Sequence, residues 1–314
     1  MPRCFCTKCA QQIEFPVELA GQVIQCPSCK QNTTLALSNE PTVRVTTPVK
    51  VRSEAWERGV SNVSPVARRI IDNVEQVVVG KREAITLVLT GFFAEGHVLL
   101  EDVPGVAKTM LARALAQSVG CSFKRVQCTP DLLPNDITGA SVFNPKNAEF
   151  EFRPGPIFAQ ILLADEINRT TPRSQSALLE AMAEKKVTVD GTNYDLKPPF
   201  FIVATQNPVD HEGTFPLPEA QLDRFLIRLN LGYPSLQEEG RMLDKLRPGH
   251  PIDSLQSVVS AEEIIACQIA IREVNVDIKV RDYILQLIHA TRTHDAVRLG
   301  GSPRASMALY RAAQ

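Results

Sequence analysis

The sequence predicts an α/β protein in three parts: a small Cys-rich module, a parallel sheet covered by helices on both faces, and a helical domain behind it. Three observations carry this prediction. Five of the eight cysteines (Cys4, Cys6, Cys9, Cys26, Cys29) fall in the first 29 residues. Short apolar runs alternate with helical stretches from Val98 to Leu229. Beyond Tyr233-Pro234 no further strand-like run occurs. Fully apolar strands between helices indicate a sheet buried on both faces. A hydrophobic content of 44% against 22% charged residues supports a core and excludes disorder throughout. With 34 Lys and Arg against 35 Asp and Glu, the net charge of −1 excludes bulk attraction to nucleic acid or an anionic membrane. No apolar run reaches the roughly 18 residues of a membrane span. Met1-Pro2-Arg3-Cys4-Phe5-Cys6 lacks the apolar stretch of a secretion signal, so a soluble cytoplasmic protein is expected.

Residues 1–38 come first. Cys6-Thr7-Lys8-Cys9 and Cys26-Pro27-Ser28-Cys29 are two CxxC knuckles 16 residues apart. Four thiolates from two such knuckles complete the closed tetrahedral shell of structural zinc. So small a module cannot hold itself by hydrophobic burial, and the metal is expected to supply much of its folding energy. Free or redox cysteines are the alternative reading, and Cys4 is an alternative ligand to Cys6. Ile13, Phe15 and Val17 alternate as a strand, Gly21 turns the chain, and Val23-Ile24 leads back. The segment is similar to the zinc-ribbon heads that precede many unrelated bacterial domains.

Residues 39–63 mix Pro, Thr, Ser and charge without an apolar period and read as a linker, with Trp56 available to dock on a neighbour. A core of residues 64–232 opens at Ser64-Pro65, with Ser as N-cap, Pro at the first helical position, and Val66, Ile70, Ile71 and Val74 on one face. Strands are expected at Val98-Leu99-Leu100, Phe123 to Gln127, Ile161 to Ala164, Phe200 to Ala204 and Leu226 to Leu229. Two hairpins interrupt the pattern: residues 139–156, bending at Asn144-Pro145-Lys146-Asn147, and Lys186 to Leu196, bending at Asp190-Gly191. Residues 233–314 form the helical domain. Ser260-Ala261-Glu262-Glu263 is a capping box, a second helix follows from about Arg281, and Ser302-Pro303 opens a third; the domain reads as incomplete.

The chemistry concentrates in the core. Asp102-Val103-Pro104-Gly105-Val106-Ala107-Lys108-Thr109-Met110 lies between a strand and a helix, where backbone N–H groups wrap phosphates at a helix N-terminus. Lys108 would reach the β- and γ-phosphates and Thr109 would hold Mg2+. The loop departs from GxxxxGK[ST] at Asp102 and Ala107, which leaves a plain strand-turn-helix as the alternative. Ile161-Leu162-Leu163-Ala164-Asp165-Glu166 is an apolar strand ending in two acids, 57 residues beyond Lys108. An Asp there holds Mg2+ and the next Glu orients and deprotonates water, so Asp165 and Glu166 are assigned these roles. Asn207, after the strand ending in Thr205-Gln206, is placed to position that water, with a turn-capping Asn before Pro as the alternative. Arg304, in the first turn of its helix, is a cation where the helix dipole favours an anion, which suggests a phosphate in front of it.

The strings VLLEDVPGVAKTMLARALA, ILLADEINRTTPRSQSALLEAM, VTVDG, FFIVATQNP, LPEAQLDRF and GGSPRAS together resemble MoxR-type AAA+ ATPases over about residues 64–314. The resemblance implies an AAA+ core with a helical lid, ATP held between subunits of a ring that is usually hexameric, and both P-loop departures as variants within the family. It assigns Lys108 and Thr109 to Walker A, Asp165 and Glu166 to Walker B, Asn207 to sensor 1 and Arg304 to sensor 2. Arg224 matches the arginine-finger position, with Arg169 and Arg173 as competitors for that role. The hairpins fit the helix-2 insert and pre-sensor-1 hairpin. The implied function is chaperone-like remodelling of client proteins, commonly the maturation or insertion of a metal cofactor, often with a von Willebrand factor A domain partner. The alternative is a nucleic-acid-associated motor or loader whose zinc ribbon binds DNA. Arg3, Lys8 and Lys30 against Glu14 and Glu18 are too sparse a basic face for that.

Overall fold

The computed structural model describes residues 3–5, 12–14, 17–19, 21–34, 54–146, 148–208, 213–246 and 249–314, with the side chains of 3–5, 12, 17 and 54–62 outside the description. Two compact units emerge, residues 1–52 and 53–314. The first holds two antiparallel pairs: β1 (Arg3–Phe5) with β2 (Gln12–Glu14), and β3 (Val23–Gln25) with β4 (Asn32–Thr34). Each pair brackets one CxxC, so pairing is local across each knuckle. The expected strand through Val17 is a correction: Val17–Leu19 is a 3-10 turn, and β2 pairs with β1, not with β3. Pro16 has no N–H to donate to a ladder, which already disfavours an uninterrupted strand there.

The second unit begins with α1 (Glu54–Val74), which starts ten residues before the expected Ser64 and carries Pro65 in its interior. Proline there removes one i→i−4 hydrogen bond. The loss is offset by burial of Val66, Ile70, Ile71 and Val74 just beyond it. The reading of Trp56 falls outside the described side chains. There follow α2 (Arg82–Phe93), β5 (Val98–Glu101), α3 (Lys108–Ser118), β6 (Phe123–Gln127) and α4 (Pro134–Thr138). The first hairpin is β7 (Gly139–Asn144) and β8 (Glu149–Pro154), then come β9 (Ile161–Asp165) and α5 (Pro172–Glu184). The second hairpin is β10 (Lys186–Val189) and β11 (Thr192–Asp195). The core closes with β12 (Phe201–Gln206), α6 (Glu219–Leu222) and β13 (Ile227–Leu229). Five helices remain: α7 (Leu236–Leu246), α8 (Pro251–Ser254), α9 (Ala261–Arg272), α10 (Ile278–Thr293) and α11 (Pro303–Ala313).

The central sheet runs β13-β5-β12-β9-β6, every neighbour parallel. Side chains alternate across it, as a pleated strand requires. Val98, Leu100, Leu163, Phe201 and Val203 face one cluster with α1, α2 and α3. Leu99, Leu162, Ala164, Ile202 and Ala204 face the other, with α5 and the first hairpin's base. Ile252, Leu255, Ile264 and Cys267 join the first cluster, so α8 and α9 pack on the α/β core. The whole of 233–314 is therefore not a separate helical layer. On α10 and α11 the single buried hydrophobic is Ile284.

The first hairpin leaves the core through a tight base. A Cβ on Gly139 (φ +90°) would lie 2.2 Å from the Arg153 carbonyl, and one on Gly155 2.2 Å from that of Ile137. Only glycine allows the two backbones this approach. Phe152 stacks on Tyr194 (centroids 4.1 Å apart, planes 19° apart), bracing this hairpin against the second. The helix expected around this insert is reduced to the short α4 before it and a 3-10 turn at Pro156–Phe158 after it.

Candidate active site

The parallel order brings the C-terminal ends of β5, β9 and β12 to one edge of the sheet, where open α/β sheets place their ligands. A crevice of about 340 Å³ opens there, lined by Pro104, Gly105, Ala107, Lys108, Thr109, Met110, Asp165, Glu166 and Asn207. Gly105 (φ +88°) and Ala107 (φ +65°) are both left-handed, which turns the loop before α3 begins at Lys108. Successive amides in such a turn form an anion-binding concavity at the positive end of the helix dipole. Ala107 does this without glycine's freedom, at a cost of about 1–2 kcal/mol. Lys108 folds back, its Nζ donating to the Asp102 carbonyl at 2.5 Å. Burial lowers its pKa from the ordinary lysine value, and the carboxylates of Asp102, Asp165 and Glu166 oppose that.

Asp102 is where the structure departs from the phosphate-loop expectation. Its carboxylate turns away from the crevice and accepts from the Leu231 N–H and, at 3.0 Å, the Gly232 N–H, pinning the chain that leaves β13. Val106 points into the core, 6% exposed, and Val103 packs against the same cluster. These three residues shape the loop from behind.

The two acids are held differently. Asp165 closes β9, one oxygen accepting from the Thr205 hydroxyl at 2.6 Å and the other from Arg125 Nε at 3.0 Å and Nη2 at 2.7 Å. Glu166 follows in a left-handed conformation (φ +59°), its N–H donating to Thr205 Oγ1 at 2.8 Å. Its Oε2 accepts from Gln127 Nε2 at 2.9 Å and Arg169 Nη1 at 3.2 Å. Arg169, a competitor for the trans role, thus pairs with Glu166 of its own chain, and Arg173 is exposed on the first turn of α5. Asn207 is 5% exposed, and its carbonyl accepts from Asn168 Nδ2 at 3.3 Å. Cys128 N–H donates to the Asp165 carbonyl at 2.8 Å. Burial first, then the two acids, push its thiol up to about 12, so it stays protonated.

Arg224 and Arg304 are not part of this crevice. They share two other cavities, of about 350 and 270 Å³, between α5, the turn before β13 and the start of α11. Arg304, whose place at a helix N-terminus suggests a phosphate in front of it, stands beside Arg224. Ser302, the N-cap of α11, donates to both carboxylate oxygens of Asp223 at 2.7 and 2.8 Å, which clamps α11 onto the residue next to Arg224. Arg224 Nη1 donates to the Leu179 carbonyl at 2.7 Å, and its buried Nε has no partner among the described residues.

Sequence reasoning missed Thr205, Arg125 and Gln127, because their roles depend on β12 and β6 flanking β9. It also missed an apolar slot of about 120 Å³ that shares Ala107 and Met110 with the crevice and adds Val77, Val79, Met242 and His250. Lys245 of α7 closes one side of it, donating to the Glu75 and Gln76 carbonyls just past α1. In the Cys-rich unit, Cys26 is 1% exposed and Cys29 half-buried on the turn between β3 and β4. Cys26 N–H donates to Gln31 O, and Lys30 N–H to Cys26 O, both at 2.9 Å. Cys6 and Cys9 lie outside the described residues, and among the described residues no group of three potential ligands is placed to hold a metal ion.

A strand-loop-helix crevice facing two strand-end acids, under the order β13-β5-β12-β9-β6, defines a P-loop ATPase of the AAA+ class. Residues 97–227 match the ATPase family associated with various cellular activities (AAA). The chain is 54% identical over 253 residues to the uncharacterized protein YeaC of Bacillus subtilis, covering 81% of this chain and 79% of that protein. It is 40% identical over 255 residues to the chaperone MoxR1 of Mycobacterium tuberculosis, covering 78% of this chain and 67% of that one. A crystal structure of a candidate ATPase from Cytophaga hutchinsonii superposes with a TM-score of 0.73 at 38% identity, over 82% of this chain and 80% of that one. The chain belongs to the MoxR family of AAA+ ATPases and is an ATP hydrolase. Among the described residues no helix is long and apolar enough to cross a membrane.

Proposed function

We propose that this chain is a ring-forming motor that uses ATP hydrolysis to remodel or mature client proteins, metal-cofactor insertion being one form of that work. The observation that carries it is the convergence of the Pro104–Met110 loop, Asp165, Glu166 and Asn207 on one crevice, while Arg224 and Arg304 stand together at another surface. Two arginines gathered away from their own chain's phosphate loop suit a neighbouring subunit's γ-phosphate, as in a ring, with six subunits the usual number in this class. There they would stabilise the charge that builds up as the phosphoryl group leaves.

The crevice residues fit ATP with Mg2+. The amides of the loop and Lys108 would hold the phosphates, and the apolar slot beside Ala107 would take the base. Thr109 and Asp165 would hold Mg2+, which when bound neutralises phosphate charge. Glu166 would orient and deprotonate the attacking water, with the Asn207 amide fixing that water's position. The Asp165 side chain, 11% exposed and lining the crevice, is a largely buried carboxylate of the kind a cation site needs.

For the N-terminal unit, the reading is one structural Zn2+ held by Cys6, Cys9, Cys26 and Cys29. The buried Cys26 thiol and the tight Cys26–Lys30 turn support it, since a knuckle presents its thiolates from such a turn. A von Willebrand factor A domain protein is the proposed partner, and the cytoplasm the proposed location. The discriminating experiment is capture on a Glu166→Gln variant in ATP: recovery of further copies of the chain with a client or such a partner supports the reading. ATPase stimulation by DNA that falls steeply with salt, with no protein stimulating it, contradicts it.

A further inference from the structure

The contact between Arg125 and Asp165 has no part in the scheme above, yet it occupies the carboxylate that the scheme assigns to Mg2+. Arg125 lies on β6, at the edge of the sheet, opposite Leu163 in register. Two of its nitrogens reach one oxygen of Asp165, while Thr205 takes the other, so both oxygens are engaged by protein donors. The partners differ in exposure: the Arg125 side chain is 48% exposed and that of Asp165 11%. A largely buried carboxylate beside Glu166 gains from a fixed counter-charge, whereas the guanidinium can leave for water at little desolvation cost.

We propose that Arg125 is a positioning residue that serves as a resident counter-cation for Asp165 in the nucleotide-free protein and must release it when Mg2+-nucleotide is engaged. The inference rests on the ATP-binding reading above. A divalent cation and a guanidinium on the same carboxylate oxygen repel each other across a short distance in a partly buried site, so one displaces the other. The exchange makes the Mg2+ requirement of nucleotide binding a property of β6 as well as of the crevice. It also ties occupancy of the crevice to the position of a side chain on an exposed strand.

The test is a Mg2+ titration of fluorescent ATP-analogue binding to the full chain, as wild type, Arg125→Met and Arg125→Lys, with melting curves for each. Without the resident cation, the Mg2+ midpoint of Arg125→Met is expected to fall roughly three- to tenfold, with Arg125→Lys shifted less in the same direction. Arg125→Met should melt below wild type when empty and level with it when loaded with Mg2+-nucleotide. A merely structural arginine would lower both melting points alike and leave the midpoint in place. An unchanged or raised midpoint in the variants overturns the inference while the ATP-binding reading stands. A wild type that binds no nucleotide overturns both. Should Arg125→Met fail to fold, the Arg125→Lys midpoint decides by itself.

Discussion

Thr205 shows how one side chain organises the chemistry of two others. Its hydroxyl donates to Asp165 and accepts from the Glu166 N–H, so both acids are fixed from the neighbouring strand. Glu166 stays in a left-handed conformation because this bond and its contacts with Gln127 and Arg169 hold it there. A different kind of lock sits at the opposite edge of the sheet. His97 is buried between β5, α5 and β12, accepting the Ile202 N–H at Nδ1 (3.0 Å) and facing the Met182 carbonyl through Nε2 at 3.2 Å. Only the neutral ring satisfies both partners, and burial lowers its pKa from 6.5 to about 4. The unfolded chain therefore takes up a proton that the folded one refuses. The contribution of this group to stability should be constant above about pH 6.5 and be lost as pH drops from 6.5 toward 4, by about 3 kcal/mol in all. Denaturant titrations of wild type and His97→Gln across that range check it: the difference between their stabilities should shrink with acidification.

At the scale of elements, the device that matters is the clamp between the end of the α/β core and α11. Asp223 precedes Arg224, Ser302 precedes Pro303 and Arg304, and the Ser302–Asp223 hydrogen bonds bring the two arginines to one surface. Replacing Asp223 by Ala should leave nucleotide affinity within about twofold and lower turnover roughly tenfold or more, as expected when groups active only in the transition state are misplaced. A parallel loss of affinity would place Arg224 and Arg304 at their own chain's nucleotide. The same scale shows what could be read in advance. All five core strands were legible, three of them (Val98-Leu99-Leu100, Ile161 to Ala164 and Phe201 to Ala204) because every residue in them is apolar. The capping box at Ser260 and Glu263 was legible too, and both of its hydrogen bonds are formed. The start of α1 was not, since Ser64-Pro65 is a strong local start signal and the helix nevertheless runs through it from Glu54. Nor was the siting of Arg304 or the turn of Asp102 away from the crevice. Each depends on where a distant segment, α11 or Leu231-Gly232, comes to rest, and no local pattern encodes that.

For the whole molecule, the two compact units make separate demands. The α/β unit buries clusters on both faces of its sheet and can be stable by packing alone. The N-terminal unit has short two-stranded pairs and, among its described residues, few buried side chains, chiefly Ile13, Cys26 and Thr33. On the zinc reading, a strong chelator should release about one Zn2+ per chain and unfold residues 1–38, while ATP hydrolysis stays within about twofold of its starting rate. Metal analysis, circular dichroism and turnover on the same sample check this, and a collapse of turnover would mean the ribbon is required by the motor. On the proposed reading, the working parts come from across the α/β unit: the phosphate loop from between β5 and α3, the acids from the end of β9, the proposed water-positioning amide from the end of β12, and the proposed trans arginines from the β13 approach and α11.

The central claim is that ATP sits in the crevice before α3 and is cleaved with Glu166 as base. Glu166→Gln, assayed for nucleotide affinity and single-turnover hydrolysis beside wild type and Lys108→Ala, tests it most directly. The account predicts near wild-type ATP affinity in Glu166→Gln with hydrolysis slowed roughly 100-fold or more, and no measurable binding in Lys108→Ala. Wild-type hydrolysis by Glu166→Gln, or wild-type affinity in Lys108→Ala, would contradict it.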